Sequence, residues 1–160
     1  MVAIGTRVDR SVLAFDACDR HRSTNHAREK HGFGLLPGEA AHSHQVNPTC
    51  GDEITLQVHL APDGAVSRLA WEGQGCSISQ ASASLLSDLV PGIDVPGMRL
   101  RIDAFRTAMR SKGAIEPDED LLGDAVVLGG TSRYIARVKC AMLAWVAAEA
   151  AIQSLPTPAA

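Results

Sequence analysis

Between Glu53 and Leu60 the chain reads EITLQVHL, with Ile54, Leu56, Val58 and Leu60 alternating against Thr55, Gln57 and His59. An apolar residue at every second position suits a half-buried strand and not a helix, whose apolar face recurs about every 3.6 residues. The residues that follow, Pro62-Asp63-Gly64, reverse the chain, because Pro presets one turn dihedral and Gly tolerates a positive one. Val66–Trp71 then returns as a partner strand and Ala41–Asn47 precedes as a short third one. The spacing predicts an antiparallel meander of three strands.

Beyond Trp71 the pattern turns helical. Ser77–Val90 carries Ser77 and Gln80 at the spacing of a capping box, followed by Ala81, Leu85, Leu86 and Leu89. Gly92–Pro96 breaks this helix, and Arg99–Met109 forms a second with Ile102, Phe105, Ala108 and Met109 in one stripe. Gly113–Gly130 reads as a long connection, acidic and then Gly-rich, before an Ala-rich helix over Ala136–Leu155 that Pro156 ends. Residues 8–31 read as weakly helical, with Val12, Leu13, Phe15 and Cys18 as their apolar cluster. The expected class is α+β, a three-stranded antiparallel sheet with helices packed on it. One domain is expected over residues 1–155, with a frayed tail at Pro156–Ala160.

A net charge of −3 and an apolar fraction of 46% give no basic footprint for nucleic acid and no membrane-surface patch. No apolar run approaches the ~20 residues that span a bilayer. Arg7, Asp9, Arg10 and Asp16 interrupt the N-terminus before a signal-peptide apolar region forms, so a cytoplasmic setting is expected. Thiols stay reduced there, and the four cysteines, Cys18, Cys50, Cys76 and Cys140, then point to metal binding or thiol chemistry and not to disulfides. All six histidines fall within the first 59 residues. His21, His26 and His31 recur every five residues, which fits no single helix face, and His42 with His44 gives only two ligands on one strand face. Solvated surface histidines are the expectation.

Three cysteines sit at element boundaries. Cys50 lies in Asn47-Pro48-Thr49-Cys50-Gly51-Asp52, a turn from which Cys50 and Asp52 can project together. Cys76 follows Gly73-Gln74-Gly75 at the start of a helix, where backbone N–H groups and the helix dipole favour a thiolate. Cys140 lies in the first turns of the last helix, three residues after Arg137 and on its face. Three soft thiolates plus a carboxylate suit a tetrahedral zinc site, and the same ligands are adequate for an iron–sulfur cluster. Cys18, in an apolar helical context, reads as a buried small hydrophobe.

At these residues the chain resembles the U-type iron–sulfur scaffold family. NPTCGD (Asn47–Asp52) resembles that family's first motif, GCSISQASAS (Gly75–Ser84) its second and RVKCAMLAW (Arg137–Trp145) its third. Lys139 stands where the IscU branch has a His before its third cysteine, and EDLLGDAVVLGG looks like the insertion of the SufU branch. The likeness runs from about Ala41 to Gln153, whereas DRHRSTNHAREKHG (Asp19–Gly32) departs from the segment usual in SufU proteins.

The resemblance implies a zinc-dependent sulfurtransferase whose metal ligands are Cys50, Asp52, Cys76 and Cys140. Cys50 would accept persulfide sulfur from a SufS-type PLP-dependent cysteine desulfurase, and a histidine of that partner would replace it on zinc during the exchange. Arg137 would lower thiol pKa values or assist the exchange by its charge. A SufB-type scaffold complex is the implied acceptor. Two other readings remain open on the same residues: a scaffold that assembles a [2Fe–2S] cluster, and a zinc-stabilised binding module without sulfur chemistry.

Overall fold

The computed structural model describes residues 24–155. Residues 8–23 of the expected helical stretch 8–31, with Cys18 and His21, and the expected tail at 156–160 lie outside the described residues. Three strands, β1 (Ala41–Asn47), β2 (Asp52–Leu60) and β3 (Val66–Gln74), form one antiparallel sheet in the order β1-β2-β3. Ser43 pairs with Leu56, and Leu56 with Trp71, which fixes the register across the sheet. The alternation of β2 therefore puts Ile54, Leu56 and Val58 on one buried face. Four α-helices follow: α1 (Ser77–Leu89), α2 (Val95–Arg110), the single turn α3 (Glu119–Leu122) and α4 (Ile135–Gln153). α4 packs across β1 and β2 and against α1, and α2 lies outside it.

Two buried contacts fix the helices to one another. The rings of Phe105 (α2) and Trp145 (α4) stack with centroids 4.0 Å apart. The Trp145 indole donates to Ser82 Oγ (2.9 Å), which donates in turn to the Ala141 carbonyl (2.6 Å), so α1 and α4 share a fully paired polar link.

The structure corrects three expectations. No capping box forms at α1: Cys76 is the N-cap, its side chain makes no cap bond, and Gln80 Nε2 donates to the Gly75 carbonyl at 2.7 Å. A carboxylate from β2, described below, satisfies the helix start instead. α2 begins four residues earlier than the apolar stripe suggests, because Asp94 caps it by accepting from Gly97 N–H, and Pro96 sits in the first turn, where its missing N–H costs nothing. The Gly113–Gly130 connection is ordered structure: α3 runs into a 3-10 stretch, Gly123–Arg133, that buries Leu122, Ala125, Val127 and Leu128.

Residues 24–29 form a helical segment, and the chain then runs beside β3, where Phe33 bridges Trp71 in parallel. Trp71 N–H donates to the Gly32 carbonyl at 3.0 Å and Gly34 N–H to the Trp71 carbonyl at 2.8 Å. Gly32 has φ +76°, and a Cβ there would lie 2.5 Å from Ser87 Oγ and 2.8 Å from the Leu69 carbonyl. Only glycine meets both demands.

Candidate metal centre

The site lies where the β1–β2 turn meets the starts of α1 and α4. In the turn the Asn47 carbonyl accepts from Cys50 N–H (3.3 Å) and Gly51 N–H (2.9 Å), and Asn47 Oδ1 accepts from Thr49 N–H at 3.2 Å. Gly51, at φ +73°, completes the reversal and leaves Cys50 exposed. Asp52 then opens β2. Period two places it on the same inward face as Ile54, Leu56 and Val58, so its carboxylate is driven inside, only 3% exposed.

Buried there, Asp52 is paired on both oxygens. Oδ1 accepts from the Cys76 N–H at 3.2 Å, and Oδ2 accepts from the Ser79 hydroxyl at 2.5 Å. The carboxylate thus caps α1 from a neighbouring strand, which explains why no local side chain does so. Gly75 permits the approach: a Cβ at that position would sit 3.0 Å from Asp52 Cγ. Gly73 serves the strand pairing beside it, since its Cβ would meet the Glu53 carbonyl at 2.2 Å.

Cys140, on the inward side of α4, reaches Cys50 with 3.6 Å between sulfurs. One ligand atom each from Cys50, Asp52 and Cys140 lie within 4.8 Å of one another. Cys76 Sγ stands 3.6 Å from Asp52 Oδ2 and also adjoins Cys140. Three of the four expected ligands therefore converge at one end of the sheet, and Cys76 borders them through Asp52 and Cys140. Arg137 does not join them: its guanidinium lies over the Tyr134 ring, 4.7 Å from the centroid, on an exposed stretch of α4.

The electrostatics ask for a cation. Burial pushes the Cys140 thiol up, and the neighbouring Cys76, Cys50 and Asp52 push it further. For Asp52, burial works against ionisation, but hydrogen bonds from Ser79, Cys140 and the Cys76 backbone and thiol outweigh it and hold the carboxyl below its usual value. A carboxylate kept ionised beside the buried Cys140 thiol, which burial and its neighbours hold in the protonated form, fits a divalent ion with thiolate and carboxylate ligands, the donor set zinc takes.

Ser79 was not legible as a site residue. Its signal is positional only: three residues beyond Cys76, it is one of four serines in the small-residue run of α1, and nothing in the sequence sets it apart from Ser77, Ser82 or Ser84.

A thiolate–carboxylate centre at the end of a three-stranded sheet, closed by two helix starts, defines an α+β metal-binding domain. The chain belongs to the NifU-like N-terminal domain family, whose model matches residues 23–141. It is 42% identical over 104 residues to the zinc-dependent sulfurtransferase SufU of Bacillus subtilis, spanning 64% of this chain and 68% of that one. It is 36% identical over 129 residues to the iron-sulfur cluster assembly scaffold protein IscU of Streptococcus pyogenes, spanning 81% and 79%. The fold matches the N-terminal part of a NifU-like protein from Brucella abortus with a TM-score of 0.74 at 24% identity, over 86% of this chain and 95% of that one. Among the described residues no helix is long and apolar enough to cross a membrane.

Proposed function

We propose that this protein carries sulfur for iron–sulfur cluster assembly, taking it from a cysteine desulfurase onto Cys50 in a zinc-dependent manner. One observation carries the reading. The ligand atoms of Cys50, Asp52 and Cys140 converge within 4.8 Å, with Asp52 and Cys140 buried and Cys50 exposed on a turn; Cys76, at the start of α1, is exposed as well. A purely structural site gains nothing from leaving thiols accessible, and of the two exposed ones Cys50 sits on a turn that can release it without disturbing a helix start. The relative named a zinc-dependent sulfurtransferase supports this assignment, and the relatives named IscU support the wider one to cluster assembly.

Zinc, held by Cys50, Asp52, Cys76 and Cys140, would keep these thiols deprotonated and offset the buried negative charge. The chain does the rest. A freed Cys50 thiolate attacks the outer sulfur of the desulfurase persulfide, the S–S bond breaks, and the electron pair leaves on the desulfurase cysteine. The sulfur ends as a persulfide on Cys50 with no net oxidation. Asp52, Cys76 and Cys140 stay in place because strand and helix backbone hold them. Arg137, exposed beside Tyr134, adds positive charge near the α4 start, where an anionic persulfide approaches. The donor is a SufS-type PLP-dependent cysteine desulfurase and the acceptor a SufB-type scaffold complex, both in the cytoplasm.

A second reading, assembly of a [2Fe–2S] cluster on the same ligands, draws support from the IscU relatives. Metal content and ultraviolet–visible absorption of protein purified without oxygen separate the two. Zinc at the thiolate centre, about one ion there per chain, and no colour is the expected result. A brown, iron-containing protein selects the scaffold, and protein without metal overturns both.

A further inference from the structure

We propose a second metal site, for a zinc-class divalent ion, formed by His26, His31 and Asp88. One ring nitrogen from each histidine and one carboxylate oxygen of Asp88 lie within 4.8 Å of one another. His26 lies in the helical segment 24–29, His31 in the turn before the chain runs beside β3, and Asp88, 57 residues beyond His31, in the last turn of α1. From the Cys76 end of α1 to Asp88 is 12 residues, about 18 Å of helix, so the cluster is separate from the thiolate centre. Nothing in the sulfur-transfer reading uses it.

The cluster is held as ligand sites are held, by partners behind the ligands. His26 Nδ1 bonds Ser84 Oγ at 2.9 Å, which leaves Nε2 without a hydrogen bond to any described residue. The same Ser84 oxygen accepts the His31 backbone N–H at 2.9 Å, and the His31 carbonyl accepts from the Trp71 indole at 2.8 Å. Gly32, which alone fits against Ser87, locks the backbone next to His31. The His31 ring sits between two carboxylates, with Nδ1 2.5 Å from Asp88 Oδ2 and Nε2 2.7 Å from Glu29 Oε2. Both ring nitrogens of His31 thus face carboxylates, the Asp88 contact first among the causes that raise its pKa. An ion would therefore take the place of the proton between Nδ1 and Asp88 while Glu29 fixes the ring from Nε2, as a second carboxylate does behind a ligating histidine. The two imidazoles meet edge to face with centroids 5.0 Å apart.

Two imidazoles and one carboxylate form a borderline donor set suited to zinc and its neighbours, with the remaining positions open to water. Ligands bonded to one ion at about 2.0–2.2 Å stand roughly 3 Å apart or a little more, so the Asp88–His31 contact must open slightly and His26 must close. Asp88, with half its side chain exposed, is free to turn. The spacing of His26 and His31 gave no sign of this, because they share no helix face; the turn after residue 29 and the docking on α1 bring them together.

Cobalt(II) titration of the reduced, metal-free full chain tests the proposal. Cobalt at the thiolate centre gives strong sulfur-to-metal charge-transfer bands, while cobalt on nitrogen and oxygen gives weak d–d bands alone. Two equivalents are expected, the second adding only d–d absorption. His26→Gln should weaken that second step by at least about tenfold, and the exposed change Asp88→Asn, which leaves the packing intact, should do the same. The proposal fails if the protein takes up one equivalent only, if the second equivalent adds charge-transfer intensity, or if it persists unweakened in Asp88→Asn.

Discussion

Asp52 occupies the first inward position of β2, and that single placement joins the sheet to the chemistry. Its carboxylate caps α1 through the Cys76 N–H, accepts from Ser79 and faces three thiols. Ser79→Ala should leave the fold intact and weaken zinc binding about 10- to 100-fold, the usual effect of removing a group that orients a ligand. Competition with a chromogenic chelator measures it; unchanged affinity would show that Ser79 does not set the carboxylate. Gly32 makes a demand of a different kind. Gly32→Ala combines a positive φ with a Cβ driven into Ser87 and the Leu69 carbonyl, and should lower stability by about 1–3 kcal/mol in urea denaturation.

At the scale of elements, α4 carries both the core and a ligand. Trp145 is fully buried, stacks on Phe105 and bonds Ser82. Trp145→Ala should cost about 3–5 kcal/mol and loosen Cys140 one turn away, so near-ultraviolet circular dichroism and zinc content should fall together. The three strands and α4 were legible because their signals are local: alternation in EITLQVHL, turn chemistry in Pro62-Asp63-Gly64, an Ala-rich run before Pro156. The capping of α1 was not, since its acceptor, Asp52, lies 24 residues from Cys76 and only the sheet brings them together. The packed 3-10 stretch was hidden for a related reason: its glycines signalled a loop, while Val127 and Leu128 follow no helical or strand period. The residues proposed as ligands, Cys50, Asp52, Cys76 and Cys140, stand out in the sequence by their turn and helix-start context. The His26–His31–Asp88 cluster depends on docking between distant segments and does not.

For the whole molecule, metal binding and folding are coupled, because the ligands come from β1–β2, α1 and α4 and only the folded chain assembles them. An ion present at about 100 times its dissociation constant adds roughly 2.7 kcal/mol to stability. Chelation should therefore lower the melting temperature by several degrees, and a melting curve indifferent to chelator would remove the structural role of the ion. Sulfur transfer makes the sharper demand, that the turn thiol of Cys50 receives the sulfur while Asp52, Cys76 and Cys140 hold the site. The decisive measurement is intact-mass spectrometry of the wild-type chain, Cys50→Ser and Cys140→Ser after incubation with a SufS-type desulfurase and cysteine. The wild type should gain one sulfur, Cys50→Ser should gain none while keeping part of its zinc, and Cys140→Ser should lose zinc and gain none as a consequence. Cys50→Ser gaining the sulfur, with Cys140→Ser keeping zinc and gaining none, would place the relay on Cys140 and contradict the assignment to Cys50.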